Sequence, residues 1–280
     1  MKTDDGVIHY KTCGAGSPIL IINGGPGLDC NGFQHLAELL SDKHTTILFD
    51  QRGTGESALN KIDESTITMD LMVEDMEALR KHLDYDQWIV LGHSFGGFLG
   101  EYYACKYPNS ITALILSSSG GIDLGLLQYF RENLQMHLSQ NERDEFQYWD
   151  SLVNAENPTE EAKYNRAKCL ASAYLYDKSY VPQVAARLAH GGNPEINSLV
   201  FKDLFDSHFD CREGLKDFSK PVLIIQGRQD PIGAGVAYEA HNALKTSTLV
   251  FINKSGHYSW LEQGDSFCAE LYAFCASFEK

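Results

Sequence analysis

Six short runs of the chain are apolar without alternation: "SPILIING" (residues 17–24), "HTTILFD" (44–50), "WIVLG" (88–92), "TALILSS" (112–118), "PVLIIQG" (221–227) and "STLVFIN" (247–253). A strand with one face in water alternates apolar and polar residues. An unbroken run predicts a strand covered on both faces, the habit of a parallel sheet. Between the runs the period changes. In "TMDLMVEDMEALRKHL" (68–83), Met72, Met76, Leu79 and Leu83 recur at three- and four-residue steps, with Thr68 placed as an N-cap and Asp70 in the first turn. "FGGFLGEYYACKYP" (95–108) has helical spacing and stops before Pro108, and "DSFCAELYAFCASF" (265–278) closes the chain as a helix. Strands alternating with helices predict an α/β fold with a mostly parallel sheet.

The middle of the chain departs from this rhythm. From about Ile122 to Leu215 no strand pattern occurs, and segments such as "LLQYFRENLQMHL", "DEFQYWDSLV" and "EEAKYNRAKCLASAYLY" are rich in polar helix formers and aromatics. The expected organisation is a core made of residues 1–121 and 216–280, with residues 122–215 as a helical cap. A helical layer over one end of a parallel sheet would act as a lid. A separate helical domain is the alternative that this pattern leaves open.

Composition narrows the picture. The chain has 280 residues, 43% hydrophobic, enough for one large domain with a sizeable insertion. Its net charge of -15 repels phosphate, so neither nucleic acid nor an anionic membrane is expected as a partner. A small-molecule or short-peptide substrate fits better; oligomeric state is not legible. The seven cysteines are odd in number and scattered, with no CxxC pair. Reduced thiols in a cytoplasmic protein are the expectation. The N-terminal "MKTDDGVIHY" lacks the apolar core of a secretion signal, and no apolar stretch reaches the ~20 residues that span a bilayer. HExxH, Walker patterns and clustered metal ligands are missing, so neither a metal nor a cofactor is expected. "GTGESA" (53–58) formally fits a dinucleotide fingerprint, but Asp50-Gln51-Arg52 separates it from the preceding strand and no apolar helix follows; a structural turn is the better reading.

The chemistry gathers elsewhere. "VLGHSFGGF" (90–98) sets Ser94 in a G-x-S-x-G corner between a strand and a helix. In so tight a turn, side chains at positions 92 and 96 would strike neighbouring backbone. Ser94 would project from the carboxyl edge of the sheet, with the Phe95 N–H facing a developing oxyanion. A serine needs a base, and the base an orienting carboxylate. Asp230 in "LIIQGRQDPI" and His257 in "LVFINKSGHYSW" each sit in a loop just after a strand, where open α/β sheets keep their sites. Asp203, Asp206 and Asp210 compete for the acid role but precede the strand; His93 is expected to pack beside the sheet. "INGGPG" (22–27) follows an early strand, and its exposed glycine N–H groups suit a second oxyanion donor: Gly25, with Gly24 the alternative.

Taken together, "NGGPG", "DQRGTGES", "GHSFGG", "GRQD" and "SGHYSW" resemble the α/β-hydrolase superfamily, in particular its proline iminopeptidase-like branch. The resemblance covers nearly the whole chain and is weakest in the insertion. It implies an eight-stranded sheet, a helical cap inserted after the sixth strand, no cofactor, and hydrolysis through an acyl-enzyme. It also implies Ser94 as nucleophile, Asp230 as acid and His257 as base. Two departures stand out. The branch's usual histidine in HGGPG is Asn23 here, and Pro231 stands where some members carry a glutamate after the catalytic aspartate. Glu195, in "GGNPEIN", resembles a cap glutamate that binds the substrate's free amine. A buried ammonium needs a countercharge, so release of N-terminal proline or another small apolar residue is the expected activity, with a carboxylesterase or related small-molecule hydrolase as the alternative. A non-catalytic ligand-binding protein of the same fold is a third possibility, set aside because no triad residue or oxyanion glycine is missing.

Overall fold

The computed structural model describes residues 1–190 and 192–278. Seven strands form one sheet: β1 (Tyr10–Cys13), β2 (Ser17–Ile22), β3 (His44–Phe49), β4 (Trp88–His93), β5 (Ile111–Ser117), β6 (Val222–Gly227) and β7 (Ser247–Ile252). Their spatial order is β1-β3-β2-β4-β5-β6-β7, and only β1 runs antiparallel. The six apolar runs became the six parallel strands.

Burial on both faces explains the runs. Side chains alternate across a strand. Leu20, Ile22, Val90, Leu114, Leu116, Val222 and Ile224 join one core cluster, while Ile19, Ile21, Ile89, Leu91, Ala113, Ile115, Leu223 and Ile225 join the other. Helices cover both faces. They are α1 (Gln34–Leu40), α2 (Met69–His82), α3 (Phe95–Lys106), α4 (Phe130–Met136), α5 (Gln140–Val153), α6 (Glu160–Tyr174), α7 (Val181–His190), α8 (Pro194–Asp206), α9 (Arg212–Leu215), α10 (Ala234–Ala243), α11 (Ser259–Glu262) and α12 (Gly264–Cys275). Thr68 caps α2 as expected, its hydroxyl accepting from the Leu71 N–H at 3.2 Å. Six of these helices, α4 to α9, lie between β5 and β6, with no strand among the described residues there.

Two expectations about the sheet need correction. Among the described residues it has seven strands rather than eight, so the helical insertion follows the fifth strand, not the sixth. The segment before β1 does not extend the sheet. It folds back through isolated bridges, Lys2 to Val7 and Gly6 to Leu59, too few for a strand.

The loops at the carboxyl ends of the strands are tied down by charge. Arg52 lies on Asp75 of α2 through two hydrogen bonds, 2.8 and 3.0 Å, and donates to the Thr66 carbonyl. Burial pushes the Asp75 carboxyl up, against the pull of Arg52. Asp50 accepts from the N–H groups of Cys30 and Glu56. Gly53 to Ala58 forms turns and opens no helix, the next helix being α2, so this loop has the shape of a structural turn.

Candidate active site

Ser94 sits between β4 and α3 with φ 55° and ψ -119°. Such a conformation costs a non-glycine residue on the order of 1–3 kcal/mol, and persists only where the surroundings impose it. Here they do. The Ser94 N–H donates to the carbonyls of Ser117 and Ser118 at the end of β5, and its carbonyl accepts from the N–H groups of Gly97 and Gly120. The glycines have the steric role anticipated for them. A Cβ on Gly92 would stand 2.2 Å from the Gly96 carbonyl oxygen, and one on Gly96 would stand 2.2 Å from that of Ile22. Phe95 opens α3, so its N–H has no intrahelical partner and is available to a ligand.

Asp230 and His257 come together. Asp230 follows β6 and is buried; its carboxylate accepts from Gln226 Nε2 and from the Ile232 N–H, both at 2.9 Å. His257 Nδ1 lies 3.1 and 3.2 Å from the two carboxylate oxygens. A carboxylate only accepts, so Nδ1 is the donor in this pair. The His257 N–H donates to the Tyr174 carbonyl at 2.7 Å, which ties His257 to the end of α6. The Tyr174 ring stacks on the imidazole, 4.8 Å between centroids and 25° between planes. On another side lies His93, 4.5 Å from His257.

His93 immediately precedes Ser94, so His257 is neighbour to the corner. Among the described residues no hydrogen bond joins Ser94 Oγ to His257. Such bonds often tighten only once substrate is in place. His93 itself behaves as a core residue. Its Nδ1 meets the Ser117 carbonyl at 3.0 Å, and Trp260 packs edge-on against its ring. Burial, then the nearby His257 and Arg187, hold its pKa well below the usual histidine range, so it stays neutral.

The "NGGPG" loop borders Ser94. A Cβ on Gly24 would fall 2.7 Å from Ser94 Cβ, and Gly25 follows with φ 75°. Asn23, fully buried, donates from Nδ2 to the carbonyls of Leu28 (3.0 Å) and Gly24 (3.3 Å), and so tightens the loop. Glu195 is different. The "NPEIN" stretch docks on this loop, with the Asn193 N–H on the Gly27 carbonyl and Asn197 Nδ2 on that of Pro26. Glu195 itself is exposed in the first turn of α8, where an acid suits the helix dipole. The rival acids have other duties: Asp203 accepts from the Met69 N–H, Asp206 pairs with Lys202, and Asp210 pairs with Arg212.

Residues 17–263 match the family model described as alpha/beta hydrolase fold. The chain belongs to the alpha/beta hydrolase fold family. It is 27% identical over 278 residues to a proline iminopeptidase of Saccharolobus solfataricus, covering 95% of this chain and 86% of that one. Among solved structures it resembles an alpha/beta fold family hydrolase from Bacillus anthracis, with TM-score 0.80, 22% identity, and 98% and 97% of the two chains covered. It also resembles an esterase from Exiguobacterium antarcticum, with TM-score 0.73, 18% identity, and 98% and 99% covered.

Two neighbours of the site carry no motif. Tyr174 and Arg187 lie on α6 and α7, in helical sequence of the insertion. Tyr174 also walls a cavity of about 580 Å³ within the cap, alongside Phe130, Leu134, Phe146 and Leu170. Among the described residues no group of three or more His, Cys, Asp or Glu could hold a metal, and no helix is long and apolar enough to cross a membrane.

Proposed function

We propose that this chain is a serine hydrolase that works through an acyl-enzyme. The observation that carries the reading is His257, fixed on Asp230 by Nδ1 and lying beside the strained Ser94 corner. Ser94 Oγ attacks the substrate carbonyl as its proton passes to His257 Nε2. The carbonyl π electrons move onto oxygen, and the N–H groups of Phe95 and Gly25 hold the resulting oxyanion. The oxyanion collapses, expelling the amine or alcohol, which takes the proton from His257. Water then attacks the acyl-enzyme, giving its proton to His257; the new oxyanion collapses, the bond to Ser94 Oγ breaks as His257 returns the proton to that oxygen, and the acid product leaves.

The substrate we propose is a peptide with N-terminal proline or a similar small apolar residue. The relatives named proline iminopeptidase, aligned over nearly the full chain, support this. A second reading, hydrolysis of small esters or amides without a free amine, is favoured by the exposure of Glu195 and by Pro231 after the acid. Prolyl arylamides with free and blocked amines, run beside short acyl esters, separate the two. Aminopeptidase action requires the free-amine arylamide to turn over faster than its blocked counterpart; equal rates, or ester turnover alone, reject it. A Ser94→Ala variant retaining either activity rejects both readings.

A further inference from the structure

Arg187 reaches from α7 to the back of the oxyanion loop. Its Nη2 donates to the Gly24 carbonyl at 3.2 Å, and its guanidinium carbon lies 4.8 Å above the Phe33 ring. Its Nε is buried without a hydrogen-bond partner among the described residues. The acceptor is the informative atom. The carbonyl of Gly24 and the N–H of Gly25 belong to one peptide group, which is planar and trans. They therefore point in opposite directions, the carbonyl toward the cap arginine and the N–H away from it. Asn23 Nδ2 shares the same carbonyl at 3.3 Å.

We propose that Arg187 is a positioning residue for catalysis: it orients and polarises the Gly24–Gly25 peptide so that the Gly25 N–H is a stronger oxyanion donor. A hydrogen bond from a cation to a carbonyl draws charge along the amide, and linked hydrogen bonds strengthen one another in a low-dielectric site. Gly25 has φ 75° and, among the described residues, a carbonyl engaged only by Leu28 within the same loop, so the orientation of its N–H needs an external hold. The arginine supplies one, and it arrives with the cap. The oxyanion site is then complete only while α7 is docked, which couples lid position to chemistry.

This rests on the reading of Ser94 as nucleophile and Gly25 as donor, and the test keeps the two apart. Arg187→Met keeps an aliphatic stem on α7 but removes the charge, and with it the guanidinium contact over Phe33. Arg187→Ala leaves room for free guanidinium. Gly32→Ala moves the arginine without deleting it, because the new Cβ would fall 2.1 Å from Arg187 Cδ and Nε. With a neutral p-nitrophenyl ester, Arg187→Met should lower kcat about tenfold with KM within twofold; losing a donor outright costs ~10²–10³. Arg187→Lys and Gly32→Ala should lose less, and millimolar guanidinium should restore part of the Arg187→Ala activity. An unchanged kcat, or a loss confined to KM, overturns the proposal. If Arg187→Met does not fold by circular dichroism, Arg187→Lys and Gly32→Ala decide. Ser94→Ala run in parallel separates the failures: if it is inactive while every Arg187 variant is normal, only this inference falls.

Discussion

Glu101 offers a quantitative test of how the core was built. It lies on α3 two turns beyond Ser94, is wholly buried, and neither carboxyl oxygen has a hydrogen-bond partner among the described residues. Burial raises its pKa well above the usual carboxylate range, and nearby Cys105 and Asp123 add to the effect. In the unfolded chain the group titrates near 4.3. Above that pH the folded protein keeps a proton that the unfolded chain releases, so stability falls as pH rises, by about 1.4 kcal/mol per unit. Between pH ~4.3 and 7 the cost reaches at most about 3.7 kcal/mol. Glu101→Gln has nearly the same shape and no titration. Urea unfolding of both proteins should give equal stabilities near pH 4.5, and the variant should lead at pH 7, by no more than about 3.7 kcal/mol. His93, held neutral by burial, acts in the opposite sense: its contribution is present above the usual histidine pKa and is lost as pH falls through that range. It is common to both proteins and cancels in the difference. A wild type and a variant that track each other from pH 5 to 8 would refute the assignment of a neutral, unpartnered Glu101.

Further outcomes follow from the same geometry. Gly96→Ala places a Cβ 2.2 Å from the Ile22 carbonyl oxygen, so it should destabilise the fold by roughly 1–3 kcal/mol and remove most activity, read by melting temperature and ester hydrolysis. Tyr174→Ala should join the space above His257 to the cap cavity, lowering KM for longer acyl esters relative to acetate esters; an unchanged chain-length profile would separate the cavity from the site. Glu195→Gln should leave the ratio of free-amine to blocked-amine rates within twofold, because the carboxyl is exposed; a large fall in that ratio would restore it as the amine's partner.

Much of this could be read along the chain, for reasons that also mark the limit. The parallel strands announced themselves because burial on both faces forces unbroken apolar runs. β1 did not: "YKTC" is short and mostly exposed, pairs on one edge only, and so needs neither an apolar run nor alternation. The strand count and the place of the cap came from resemblance, and failed where the first residues make bridges instead of a strand. Ser94, Asp230 and His257 were legible because each occupies a loop that a strand must precede. Arg187 and Tyr174 were not, since a helix residue meets the site only through the way the cap docks, and docking leaves no local signature. Glu195 shows the converse. Its motif does meet the loop, but through Asn193 and Asn197, while the acid faces solvent.

Labelling with a fluorophosphonate, located by peptide mass spectrometry, tests the proposed relay most directly. We expect the label on Ser94, absent from Ser94→Ala and slowed at least a hundredfold in His257→Ala with the fold intact. No label, a label on another residue, or a rate indifferent to His257 would contradict the account.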